Sequence, residues 1–392
     1  MRILFYELRK LWRLPIVAAL LLLGAVQYYF FMDFSIRFFP NGHPAAERYT
    51  LCREWTEKYG PYMEPDEYAD AQESYASLLA DTDARIASDP RCAAHGIASW
   101  EQFCAMVLDA PDADPFGRYR SLYGPLFSSE SDWLGYRVEC LRSALSDYET
   151  RAACLNASPG TLTPAEQARY AELAAGVQLS GIFPGECIDN LSEYLCGAGI
   201  FGVLSVAILL APSGAREQLS RMTGGLWTTR IGRGTVFWQL GAALLSAGGL
   251  FLLEVLAFGG IYAQLGTSFF WDSPTQTFLA GNLFWFDLTY GQYVLCSLGM
   301  LLALMLGTAG AIFALSHTSD SYISAVIKAL PVSVGMVFAC AAAIQRPFID
   351  RNDLYMHTRV IGIEAALCAL VLVGGLTAGL LAALRCQRKE LL

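Results

Sequence analysis

Residues 293–315 read YVLCSLGMLLALMLGTAGAIFAL, a run of 23 residues without Asp, Glu, Lys, Arg or Pro. As a helix rising 1.5 Å per residue this run is about 34 Å long, enough to cross a hydrocarbon core about 30 Å thick. Working outward from it, five more stretches approach or exceed that length: residues 15–32, 191–211, 236–265, 322–343 and 360–384. The 392-residue chain is 54% hydrophobic and 16% charged, and its apolar residues arrive in blocks rather than at the spacing of a soluble core. The expected fold is therefore an all-α polytopic membrane protein with six transmembrane helices and a mostly helical extracytoplasmic domain.

Lys and Arg close to the spans set the orientation. Arg2, Arg9, Lys10 and Arg13 precede the first span, Arg216, Arg221, Arg230 and Arg233 lie between the second and third, and Arg385, Arg388 and Lys389 follow the sixth. Residues 266–292 hold no Lys or Arg, and residues 344–359 hold Arg346, Arg351 and Arg359. A multi-pass protein of the cell membrane with both termini in the cytoplasm is expected. Residues 1–32 then form an interfacial helix and the first span, 33–190 the outer domain, and 191–392 the other five spans. The first apolar run exceeds the usual h-region of a signal peptide and ends in Tyr28, Tyr29, Phe30 and Phe31, so it reads as an uncleaved anchor. Before it, Leu4, Leu8 and Leu11 share one helical face, with Glu7, Arg9, Lys10 and Arg13 available for headgroups.

The outer domain is acidic. Residues 33–189 contain 25 Asp and Glu against 12 Lys and Arg, a net charge of −13 in a chain whose total is −9. Helical spacing marks residues 67–88, 99–108, 131–155 and 164–177, with helix breakers over 111–124 and 156–163. Cys52, Cys92, Cys104, Cys140, Cys154 and Cys187 permit three disulfides in an oxidising compartment or stand as unpaired buried thiols, and both readings stay open.

Signatures of chemistry are absent. The sequence has no phosphate-binding G-x-x-x-x-G-K-[ST] loop, no H-E-x-x-H and no C-x-x-C, and His43, His95, His317 and His357 are scattered singly. No catalytic residue, metal site, cofactor or nucleic-acid partner is expected. Instead, the segment 213–235, SGAREQLSRMTGGLWTTRIGRGT, joins the second and third spans at greater length than a simple connection needs. Its first part suits a short helix that ends at Gly224-Gly225, and a basic run follows.

The order Glu217, Gly224-Gly225, Leu226, Thr228-Thr229-Arg230 and Gly232-Arg233 ahead of a long apolar span resembles the cytoplasmic link between the second and third spans of type-2 ABC exporter permeases. The interfacial helix, the six spans and the large insert after the first span fit the same resemblance, which covers about 235 residues and excludes the outer domain. The chain departs from the family pattern at Gln239, where a Lys is common, and at Ala215, where an aromatic is usual. The resemblance implies a permease subunit in the lipid bilayer that dimerises with itself or a related chain. It would dock a separate ABC ATPase and would not be an enzyme itself. Glu217, Arg221, Met222, Leu226, Trp227, Thr228, Thr229, Arg230 and Arg233 become the expected docking residues.

Ionisable residues inside a membrane are costly and mark functional sites by default. Glu254 lies about eighteen residues into the third span and Glu364 five residues into the sixth. They could line a pathway, pair with Arg346 or Arg359, or serve packing alone. Two readings from other classes are kept: a membrane-anchored sensor or binding protein acting through its outer domain, and a stand-alone secondary transporter.

Overall fold

The computed structural model describes residues 2–108, 134–151, 162–214, 232–319 and 321–388. Among these residues the fold is all-α, and the only β pairing consists of the isolated bridges Tyr62–Gly181 and Phe284–Ile349. Six helices are long and apolar enough to cross a membrane: Leu14–Arg37, Glu186–Leu210, Thr235–Leu265, Tyr290–His317, Tyr322–Ile344 and Ile363–Arg388. We refer to them as spans one to six.

The chain divides into two compact units. The first comprises Met1–Phe39, Cys187–Trp271 and Asn282–Leu392, and the second comprises Pro40–Glu186 together with Asp272–Gly281. The segment 266–292, rich in aromatic residues, is thus split between the units.

In the first unit, helix α1 (Arg2–Leu11) precedes span one as expected. It packs on span three, where Trp12 Nε1 donates to Ser246 Oγ at 3.0 Å. Glu7 is buried and bound to Lys10 Nζ at 2.7 Å, so it does not stand among the exposed headgroup contacts that the sequence suggested. Span two is the most enclosed, with 67% of its apolar window buried, whereas Leu21 of span one, Phe338 of span five and Leu370 of span six are about 70% exposed and face outward like lipid-contacting side chains. Spans four and six approach backbone to backbone, because a Cβ on Gly375 would collide with the Gly307 carbonyl and one on Gly310 with the Gly375 carbonyl. Such contact maximises dispersion where no hydrophobic driving force separates helix from lipid. By contrast Gly248, Gly249, Gly260 and Gly374, also in apolar spans, meet nothing within 4 Å. Span five continues as helix through Pro331.

Two spans contain a π-helical turn, Tyr28–Met32 in span one and Val255–Gly259 in span three. The rings of Tyr28 and Phe258, one from each turn, stack at 6.4 Å with an interplanar angle of 4°. Span one is held to span two by Gln27 Nε2, which donates to the Gly197 carbonyl at 3.0 Å, and Gly197 leaves the space into which Met32 fits.

In the second unit the expected helices form at Pro65–Ser88, Trp100–Leu108, Leu134–Thr150 and Pro164–Ala175, and one not singled out in the sequence forms at His43–Tyr59. Capping explains several starts. Glu64 with Glu67 and Thr163 with Glu166 form reciprocal capping boxes. Asp89 caps the short helix Pro90–Ala94 by accepting from the Arg91 N–H at 2.8 Å. The Arg91 guanidinium beside it holds the Asp89 carboxyl down at about 2. Ile86, Cys92, Ile97, Trp100, Phe103 and Val138 form an apolar core. Phe278 from the returning segment packs edge-on against Tyr148 at 5.3 Å, and Thr277 Oγ1 donates to the Gly181 carbonyl at 2.7 Å. Among the described residues no disulfide joins Cys52, Cys92, Cys104, Cys140 or Cys187; Cys154 lies outside them.

Candidate functional site

Span three carries Glu254 at the junction between its regular helix, Thr235–Glu254, and the π turn Val255–Gly259. A π turn adds a residue to the helical repeat, which rotates the side chains on either side of it relative to one another and leaves backbone carbonyls short of partners. Tyr194 of span two takes up one of these, its hydroxyl donating to the Phe258 carbonyl at 2.8 Å.

The carboxyl of Glu254 points inward. The residue is 5% exposed, and neither carboxyl oxygen has a hydrogen-bond partner among the described residues. It nests where span two has Gly202, whose added Cβ would stand 2.7 Å from Glu254 Oε2 and 2.8 Å from Met305 Sδ. The glycine is thus the reason a carboxyl fits at this depth between spans two, three and four.

Glu254 is among the residues that line a cavity of about 180 Å³ in the first unit. Span two contributes Leu191, Tyr194, Leu195 and Ala198; span three adds Phe258 and Tyr262; the segment after it adds Thr267 and Trp271; and span four adds Tyr290 and Leu298. Tyr194 and Tyr262 pack with centroids 5.0 Å apart, and Phe201 meets Phe258 edge-on at 5.6 Å, so the aromatic wall is braced from behind. A largely apolar cavity with few polar groups is the usual form of a small-molecule site.

Glu364 has different surroundings. It is 1% exposed in the first turn of span six, and its carboxyl interacts with the backbone N–H groups of Phe348 and of Glu364 itself, while Oε2 has no hydrogen-bond partner among the described residues. Phe348 has φ 68°, a conformation costly for a non-glycine residue, and the carboxylate bond helps to hold it. This is a structural role at a helix start, and Glu364 does not line the Glu254 cavity. Arg346, considered from sequence as a partner for either carboxylate, is instead paired with Asp189 at 2.8 Å. Asn352 organises the same turn, donating to the Gln345 carbonyl at 2.9 Å and accepting from the Leu354 N–H at 2.8 Å.

The expected docking residues Glu217, Arg221, Met222, Leu226, Trp227, Thr228, Thr229 and Arg230 lie outside the described residues. The backbone of Arg233 forms the 3₁₀ turn Gly232–Gly234 that opens into span three. Both flanks of the segment are described, and both meet the end of span four. Gly214 N donates to Ser316 Oγ at 2.8 Å, and Ser316 Oγ donates to the Ala211 carbonyl at 2.9 Å. On the other flank, Gln239 Oε1 lies 3.2 Å from His317 Nε2, and the His317 ring stacks on Phe313 at 4.0 Å.

No potential metal cluster of three or more His, Cys, Asp or Glu side chains occurs among the described residues. The aromatic residues that share this cavity with Glu254 come from four separate stretches of chain, and nothing in the sequence groups them. Only Glu254 itself, a charge in an apolar run, was visible as a signal. Compared with protein-family models, characterised proteins and solved structures, the chain matches none.

Proposed function

We propose that this chain is the permease subunit of an ABC transporter, moving a substrate across the membrane on energy from ATP hydrolysed by a separate ATPase chain. Both termini and residues 213–235 face the cytoplasm in this reading, and the second unit lies outside. The permease dimerises with itself or with a related chain.

The observation that carries the proposal is the clasp at the end of span four. Ser316 and His317, adjacent in sequence, bond the end of span two at Ala211 and Gly214 and the beginning of span three at Gln239. A segment whose two ends are tied to the same helix terminus cannot move without that helix. A partner pushing on residues 215–231 would therefore tilt spans two, three and four together, and rigid-body rocking of helices is an established route to alternating access. Spans two, three and four are also the helices that enclose the Glu254 cavity.

The test is partner retention. Replacing Glu217 and Leu226 together with Ala removes a charged contact and an apolar anchor from the docking segment without touching a span. Loss of two such contacts costs a few kcal/mol, about a hundredfold in affinity. The double variant should insert normally and lose its ATPase on purification from membranes. Retention of the ATPase at the parent level, or a parent chain that brings down no ATPase, refutes the proposal.

A further inference from the structure

We infer that the polar cavity between the start of span two and the end of span five holds a phospholipid headgroup of the phosphoethanolamine type, a phosphate and a primary ammonium two carbons apart. The inference needs the six spans to cross a bilayer and is independent of the ABC-permease reading.

The cavity measures about 160 Å³ and belongs to the first unit. Its walls carry charges of both signs: Asp189 and Glu193 come from span two, and Arg346, Arg351 and Asp353 from the turn after span five. Asp189 and Arg346 answer each other at 2.8 Å. Glu193 and Arg351 have no ion-pair or hydrogen-bond partner among the described residues. One chamber thus presents an unpaired carboxylate and an unpaired guanidinium.

The turn is built firmly. Asn352, 2% exposed, donates through Nδ2 to the Gln345 and Arg346 carbonyls at 2.9 and 3.3 Å, and its Oδ1 accepts from the Leu354 N–H. Arg346 has φ 50°, a costly conformation for a non-glycine residue and one that clusters at functional sites. The backbone carrying both arginines is set before a ligand arrives, which lowers the ordering cost of binding.

The volume lies below that of drug-sized sites, so only a compact polar group enters. A guanidinium suits phosphate, and carboxylates accept from the three N–H donors of a primary ammonium. A quaternary ammonium lacks those donors and is held by aromatic rings, which are missing from the described lining.

Acyl chains have a path from the same place. Val334, Phe338 and Ala342 follow at four-residue spacing on one face of span five. Ala342 lines the cavity, while Val334 and Phe338 are 47% and 70% exposed. Inward from the cavity spans two and five close on each other, since a Cβ on Gly199 would stand 2.5 Å from Cys340 Sγ. The headgroup therefore stops at the rim and its tails lie along the exposed ridge, which a free zwitterion would leave unused.

For the test, the full-length chain, delipidated in detergent, is offered equimolar dioleoyl phosphatidylethanolamine, phosphatidylcholine and phosphatidylglycerol, and bound lipids are counted by native mass spectrometry. Retention of one phosphatidylethanolamine is expected, favoured about tenfold over either other lipid. The preference should vanish in Glu193→Gln and in Arg351→Gln and persist in Arg388→Gln, at the far end of span six. On the unmodified chain N-acetylated phosphatidylethanolamine, which has lost its ammonium, should bind no better than phosphatidylglycerol, a readout that stands even if a variant fails to fold. Equal retention of the three lipids, an unchanged preference in either rim variant, or retention of the N-acetylated lipid at the level of its parent overturns the inference. So does displacement of the lipid by an equal concentration of free ethanolamine phosphate, which would mark a site for a soluble zwitterion. None of these results depends on whether an ATPase co-purifies.

Discussion

Tyr194 and Phe258, 64 residues apart in sequence, are joined by a hydrogen bond of 2.8 Å from the tyrosine hydroxyl to the phenylalanine carbonyl. That bond lets span three keep a π turn next to an intramembrane carboxyl. It satisfies a carbonyl that the altered repeat leaves available, and it sets the Tyr194 ring against Tyr262 in the cavity wall. The defect in one helix is therefore stabilised by a side chain of another.

Removing that hydroxyl alone should be measurable. Tyr194→Phe retains the ring and deletes one partly buried hydrogen bond, a loss of about 1 kcal/mol. Thermal unfolding of the detergent-purified protein should shift down slightly. An unchanged melting temperature would show that the Phe258 carbonyl finds another donor.

Gly374 and Gly375 are neighbours with opposite expectations. Alanine at Gly375 would drive a methyl into the Gly307 backbone of span four, whereas alanine at Gly374 meets nothing within 4 Å. Overpacking a backbone contact costs about 1–3 kcal/mol. Gly375→Ala should melt below the parent, with Gly374→Ala at or slightly above it through its better helix propensity. Equal melting of the two variants would contradict the packing of span four on span six.

Ser316 offers a test of the clasp that does not touch the docking segment. Ser316→Ala leaves the Gly214 N–H without its acceptor, and an unsatisfied buried group of this kind costs about 1–3 kcal/mol. The variant should be less stable. If spans two and four move as one, ATP hydrolysis in the assembled complex should respond less to substrate than in the parent. Full stability with full stimulation would separate the clasp from any mechanical role.

Cys140 in the second unit gives a pH-dependent prediction. Burial pushes its thiol up to about 11, opposed by Arg48 and Arg137 and reinforced by Glu47 and Glu186. The folded state thus favours the neutral thiol, while the unfolded chain ionises near the ordinary value of about 8.5. This contribution to stability is fully present below about 8.5 and is lost as pH rises through that value towards 11. Iodoacetamide at pH 8 should modify Cys140 in the native protein far more slowly than in urea. Equal rates in both states would place the thiol in water.

The membrane class, the approximate limits of the six spans and the helix before span one are legible in the sequence. Each depends on the composition of a short window: enough apolar residues in a row make transfer into hydrocarbon favourable whatever the rest of the chain does. Helical spacing of apolar residues likewise marked helices of the second unit, Pro164–Ala175 among them. The helix His43–Tyr59 escaped notice because its charged residues blur the apolar spacing. Tertiary structure alone decided which glycines touch, that Asp272–Gly281 joins the second unit, that Arg346 pairs with Asp189, and that the Glu254 carboxyl packs against Gly202 without a hydrogen-bond partner among the described residues. These outcomes depend on how each helix is rotated about its axis and on which residues stand level with one another. A π turn changes both, and composition carries no record of either.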